Sequence, residues 1–145
     1  MNDWLIVDAS VIIKAFVEEP GSDLAGLIWQ SDAILAAPAH ALAEVGEALR
    51  RKRKRNEIRE EQWREISLVV PGSFISIGLD DLFEPAMRIT TELSQSFYDS
   101  LYLAAAERWE CALVTADESL VRAAVGSVWQ ARILTLQDYA NVRAG

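Results

Sequence analysis

Two rhythms of apolar residues alternate along the chain. Short, nearly unbroken runs of strand-forming residues stand at 4–8 (Trp4-Leu5-Ile6-Val7-Asp8), 33–37, 74–77, 111–115 and 132–135. Between them, apolar positions recur at helical spacing, as in Leu42, Val45, Ala48 and Leu49. This second rhythm predicts helices over 9–17, about 22–30, 39–55, 58–70, 82–93, 96–110, 118–125 and 137–142. Pro20-Gly21, Pro38 and Pro71-Gly72 punctuate the pattern, because proline lacks an amide donor and both residues favour turns. Ser22 or Asp23 is placed to cap the second helix. Residues 101–106 are apolar almost all round, which predicts a helix packed deep in the domain.

Short runs that alternate with helices imply crossover connections, and so a parallel sheet covered on both faces. The expected fold is α/β, a three-layer helix–sheet–helix sandwich with a four- to five-stranded parallel sheet. Two extra helices follow the second strand. The 145 residues contain no repeat, low-complexity tract or Gly/Ser/Pro-rich linker, so one domain over 1–145 is expected.

Composition removes several alternatives. Hydrophobic residues are 51% and charged residues 25%, too apolar for a disordered chain. With Cys111 the single cysteine and His40 the single histidine, neither a disulfide scaffold nor a Cys-rich zinc site can form. The longest apolar stretches fall well short of the roughly 20 residues that cross a bilayer, and the chain starts with an acid where a signal peptide has bases. A soluble, cytoplasmic protein with no membrane partner is the expectation. The net charge of -8 argues against nucleic-acid binding by bulk charge. One segment reverses that locally: Arg50, Arg51, Lys52, Arg53, Lys54 and Arg55 concentrate six of the 14 basic residues. They serve either the helix dipole and pairing with Glu57, Glu60 and Glu61, or a track for RNA phosphates. Of the five tryptophans, most are expected in the core and Trp63 partly exposed.

Four acids share one predicted location. In a parallel sheet the carboxyl ends of the strands form the ligand-binding rim, and helix N-termini face it. Asp8 ends the first strand. Glu44 lies in the second turn of the helix after the second strand. Asp99 lies in the first turn of the buried helix, and Asp117 two residues beyond the fourth strand. Each has a local explanation. Asp8 can satisfy its own turn through Ser10, Glu44 can share a solvated face with Glu47, Asp99 can complete a capping box with Ser96, and Asp117 can cap the next helix. Together, however, four carboxylates at close range repel unless a cation lies between them. Their hard oxygens, with the hydroxyls of Ser10 and Thr115 nearby, favour Mg²⁺ or Mn²⁺ over zinc. A hydrated metal on acids suits phosphodiester hydrolysis. Asp8 and Asp99 are the first-choice ligands. Glu44 either binds metal or orients the attacking water, and Asp117 completes the outer shell. His40 reads as a partner of the helix start rather than a catalyst.

The segments around these acids resemble PIN-domain ribonucleases, and most closely the VapC toxins of bacterial and archaeal toxin–antitoxin pairs. They are Ile6-Val7-Asp8-Ala9-Ser10, Ala43-Glu44-Val45-Gly46-Glu47, Tyr98-Asp99-Ser100-Leu101-Tyr102 and Leu113-Val114-Thr115-Ala116-Asp117. The resemblance implies that Asp8, Glu44, Asp99 and Asp117 form the metal site, supported by Ser10 and Thr115. It further implies Mg²⁺- or Mn²⁺-dependent cleavage of RNA, dimerisation, and inhibition by a cognate antitoxin. Three other readings compete with this one. A signalling receiver domain would need an acidic pair at the first strand and a late lysine, and no lysine follows Lys54. A non-catalytic PIN-like module would not need the acids. A housekeeping PIN nuclease would act without an antitoxin.

Overall fold

Strands form where the short apolar runs stand: β1 (Trp4–Val7), β2 (Ile34–Pro38), β3 (Ile75–Ile77), β4 (Ala112–Thr115) and β5 (Ile133–Thr135). In the computed structural model, which describes residues 3–144, they make one parallel sheet in the order β3-β2-β1-β4-β5. Met1, Asn2 and Gly145, the ends of the expected 1–145 domain, lie outside the described residues. Central strands covered on both faces want apolar side chains at successive positions, and Leu5, Ile6, Val7, Leu113 and Val114 are all buried. Edge strand β3 buries only Ile77 and leaves Ile75 and Ser76 exposed.

The helices are α1 (Ala9–Phe16), α2 (Ser22–Trp29), α3 (His40–Lys54), α4 (Glu60–Val69), α5 (Phe83–Leu93), α6 (Phe97–Arg108), α7 (Glu118–Ala123) and α8 (Leu136–Ala144). Helix α6 packs on β1, β2 and β4 with α5 behind it, and every residue from Ser100 to Ala106 is buried. On the other side, α1 packs with α2 and α3, and α8 with α2 and β4. The result is the expected sandwich, with five strands.

Some local expectations change. The cap of α2 is neither Ser22 nor Asp23 but Gly21, at φ +95°. A Cβ there would stand 3.2 Å from Lys14 Cδ and 3.3 Å from Leu136 Cδ1, so both backbone and space call for glycine. The Ser22 hydroxyl instead closes the preceding turn, accepting from Glu19 N and donating to the Val17 carbonyl. The helix expected over 58–70 begins at Glu60 and tightens into a 3₁₀ turn at Val70–Gly72, while Ile58 is a loop residue plugged into the core. Among the tryptophans only Trp129 is fully buried; Trp4, Trp29, Trp63 and Trp109 are half-buried.

Topology positions the site. The chain steps outward from β1 to β3, then returns to the other side of β1 for β4 and β5. The carboxyl ends of β1 and β4 therefore flank a topological switch, where an open α/β sheet leaves a crevice. Among the described residues no helix is long and apolar enough to cross a membrane.

Candidate active site

Asp8 follows β1 directly and caps α1. Its Oδ1 accepts from Val11 N at 3.2 Å and from the Ser10 hydroxyl; its Oδ2 accepts from the Thr115 hydroxyl. Thr115, the last residue of β4, accepts in turn from Asp117 N at 2.9 Å, and Ser10 Oγ accepts from Ala116 N at 3.1 Å. One carboxylate and two hydroxyls thus stitch together the ends of β1 and β4. Every donor to Asp8 is neutral. Burial outweighs them and, with a contribution from the charge of Asp117, pushes the Asp8 carboxyl up to about 6.

Of the other acids, Asp117 lies close enough for its charge to act on both Asp8 and Asp99, and Glu44 close enough to act on Asp99. Asp117 caps α7 as its local reading predicted: Oδ1 accepts from Ser119 N, Ser119 Oγ and Leu120 N. Its Oδ2 makes no hydrogen bond among the described residues. Asp99 stands half-buried in the first turn of α6, its amide bonded to Ser96 Oγ at 3.1 Å. Burial raises its pKa, as do the charges of Asp117 and Glu44, against the Ser96 hydroxyl. Glu44 parts company with Glu47. Glu47 points to solvent and pairs with Arg50 at 2.6 Å, whereas Glu44 Oε1 accepts from the Tyr102 hydroxyl at 2.6 Å. Among the described residues no lysine or arginine pairs with Asp8, Glu44, Asp99 or Asp117. Nor do three His, Cys, Asp or Glu side chains there converge into a ready-made metal cage.

Tyr102 is the residue that sequence reasoning passed over. Its hydroxyl donates to Glu44 and accepts from Ala9 N at 3.3 Å, linking α3, α6 and the start of α1. Burial and the neighbouring Glu44 raise its pKa, so it remains a donor. The only available signal was its place one turn beyond Asp99 on α6, but an aromatic in an apolar helix reads as core. His40 does what was expected of it. Its Nε2 lies 3.0 Å from the Tyr98 carbonyl oxygen, which only accepts, and 3.3 Å from Glu44 Oε1. Burial lowers its pKa, so the ring is neutral at pH 7 and steadies Glu44 and the start of α6.

The basic run stands apart from the acids, at the far end of α3. Arg50 and Arg51 pair with Glu47, Lys52 with Glu19 at 2.6 Å and Glu57 at 3.6 Å, and Arg53 with Glu60 at 3.8 Å while stacking over Trp63. Glu61, one of the expected partners, makes no ion pair among the described residues; Glu47, one turn earlier on α3, and Glu19, between α1 and α2, pair with the run instead. Lys54 and Arg55 carry no ion pair among the described residues.

The family model described as "PIN domain" matches residues 5–126, which spans β1 to the segment after α7 and all four acids. The chain belongs to the PIN-domain family. Among PIN relatives, it is 34% identical over 128 residues to Ribonuclease VapC1 of Mycobacterium tuberculosis, covering 83% of this chain and 91% of that protein. Solved structures share the fold. PAE2754 from Pyrobaculum aerophilum superposes with a TM-score of 0.71 at 22% identity, over 97% of this chain and 90% of that one. A toxin–antitoxin complex from Klebsiella pneumoniae gives 0.64 at 16%, over 91% and 97%. The sarcin-ricin loop cleaving toxin VapC20 of M. tuberculosis gives 0.63 at 18%, over 86% and 97%.

Proposed function

We propose that this PIN domain is a VapC-type ribonuclease, the toxin of a toxin–antitoxin pair, which hydrolyses RNA phosphodiester bonds in the cytoplasm and depends on Mg²⁺ or Mn²⁺. The observation that carries this reading is the set of carboxylates gathered near the switch point without a lysine or arginine partner among the described residues. The charge of Asp117 adds to burial in raising the pKa of both Asp8 and Asp99, and no basic side chain among the described residues relieves them. All the donors are hard oxygens, which fits a small divalent ion. Bound there, such an ion supplies a water of lowered pKa and neutralises charge on the scissile phosphate.

The chain's own residues have separate tasks. Asp8 and Asp99 hold the cation, and Ser10 and Thr115 keep the Asp8 carboxylate aimed at it. Glu44, gripped by Tyr102 and beside His40, orients the attacking water. Asp117 offers its second oxygen to the ion's outer shell. Lys54 and Arg55 contact the RNA backbone, since the other members of the basic run are engaged in ion pairs. The extent of the match to Ribonuclease VapC1 supports the toxin assignment and the antitoxin partner. The molecule works as a homodimer, and the exposed Phe83, Met87 and Tyr98 near the rim are the surface on which a second copy packs.

The test is incubation of the pure protein with total RNA, with Mn²⁺ or with a chelator. Discrete fragments formed only with the metal are expected, and absent for Asp8→Asn. RNA bound intact under every metal condition would leave a non-catalytic module instead. Growth arrest on expression, relieved by the neighbouring open reading frame, separates the toxin from a processing enzyme.

A further inference from the structure

A cleft of about 490 Å³ opens beside the acids, on the β5 side of the sheet. Thr115, Ala116, Leu24, Val121 and Leu136 line it, with Gly21 packed beside Leu136. Its volume falls in the range of about 300–1,000 Å³ typical of pockets that engulf small ligands. We propose that it is a subsite for one unstacked nucleotide of the RNA strand, next to the bond that is cut. This rests on the nuclease reading above and adds the element that selects a base.

Position comes first. Thr115 lines the cleft and its hydroxyl holds Asp8, so the cleft begins one side chain from the acids. A strand whose phosphate lies at the acids has its neighbouring nucleotide at this opening. Chemistry is the second argument. Leu24 and Val121 offer apolar surface for the faces of a ring; the Thr135 hydroxyl, which accepts from Asp138 N, still has its proton to donate, and Gln137, whose Nε2 donates to Asn141, still has its Oε1 to accept. Single-stranded RNA is read in this way, by splayed bases held on their faces and edges.

Charge is the third argument. In a protein of net charge -8, any anionic ligand needs local cations, and Lys14 and Arg122 both line this cleft. Glu118 lines it too, but its pair with Arg122 is loose, at 3.8 Å, with the arginine side chain 72% exposed. Arg122 is therefore free to turn to a phosphate, whereas Lys14 is tied to Glu19 at 3.1 Å. The lining is built in advance. Gly21, in a left-handed conformation that disfavours any other residue, packs against Lys14 and Leu136, and a Cβ there would press on both side chains.

The experiment is an amide-shift NMR titration of the full chain in chelator with AMP, CMP, GMP and UMP, each compared with its nucleoside. At least one nucleotide is expected to move the Ala116, Val121 and Gln137 amides, saturating near about 1 mM. The matching nucleoside should bind several-fold more weakly. Val121→Trp fills the cleft and should abolish the shifts. Arg122→Gln, a surface change that keeps the protein folded, should erase the nucleotide–nucleoside difference. No shift at these amides up to about 10 mM, about one decade beyond that, overturns the proposal. So do shifts that survive Val121→Trp, or amides that move only with purified antitoxin, which would assign the cleft to the protein partner. Cleavage is scored separately. A wild type that binds nucleotides here but cuts no RNA with Mn²⁺ refutes the nuclease reading while the subsite stands.

Discussion

Asp8 accepts hydrogen bonds from two hydroxyls and an amide, and its carboxyl is still displaced up to about 6, because burial outweighs those neutral donors. The consequence for stability has a definite sign. The folded pKa lies above the ordinary 3.8, so between these values the folded state binds more protons than the unfolded one. Stability from this group is therefore greatest below about pH 4, falls as the pH rises to about 6, and stays low above it. The shift corresponds to roughly 2–3 kcal/mol. In chelator, the melting temperature of wild type relative to Asp8→Asn should rise on going from pH 7 to pH 5. Added Mg²⁺ or Mn²⁺ should raise the wild-type melting temperature at pH 7 and leave Asp8→Asn unmoved. Equal responses from the two proteins would remove Asp8 from the metal site. In cleavage assays Asp8→Asn and Asp99→Asn should be inactive with an unchanged circular dichroism spectrum; a folded, fully active variant would end their catalytic role. Glu19 is the opposite case. Burial works against its charge, but Lys52 and Lys14 hold it below the usual carboxylate range, so its contribution is present at neutral pH and lost in acid.

At the scale of the element, α3 and α6 bring the working groups to the rim. Tyr102 on α6 reaches Glu44 on α3, so the spacing of Glu44 from Asp8 depends on how these helices pack. Tyr102→Phe keeps the ring and loses the hydroxyl. It should cost about 1 kcal/mol in denaturant unfolding, and roughly tenfold in cleavage if Glu44 needs that support. An unchanged rate would show that Glu44 needs no such anchor. At its other end α3 carries cations of two kinds. Lys52 fastens α3 to the turn between α1 and α2 through Glu19, whereas Lys54 and Arg55 make no ion pair among the described residues. Neutralising those two should reduce the slope of log affinity against log salt for single-stranded RNA by about 1.4, at 0.7 per phosphate contact. Lys52→Gln should instead lower stability with little change in that slope.

At the scale of the whole molecule, the order of the strands decides what the acids can do. Because β4 returns beside β1, the ends of two strands far apart in sequence face one crevice, and the N-termini of α3 and α6 come to the same rim. The exposed aromatic and methionine surface at the start of α5 and α6 borders it, with the Phe83 and Phe97 rings 5.2 Å apart. Met87→Glu should convert a dimer into a monomer by light scattering at micromolar concentration. A wild type that is already monomeric there would refute the assembly.

The positions of strands and helices were legible in the chain because burial imposes a local period on the residues that form them. The buried 101–106 helix, the strand at 74–77 and the rim location of Asp8, Glu44, Asp99 and Asp117 all follow from such patterns combined with the rules of parallel sheets. Which groups meet was decided only by the folded structure. Thr115 holds Asp8 across 107 positions, Tyr102 holds Glu44 across 58, and Lys52 holds Glu19 across 33. Such pairings depend on distance through space and on exclusion of water, and neither leaves a period in the sequence. For the same reason Gly21 reads as a plain turn residue in the chain. Only the folded structure shows its left-handed backbone and the side chains of Lys14 and Leu136 packed against it.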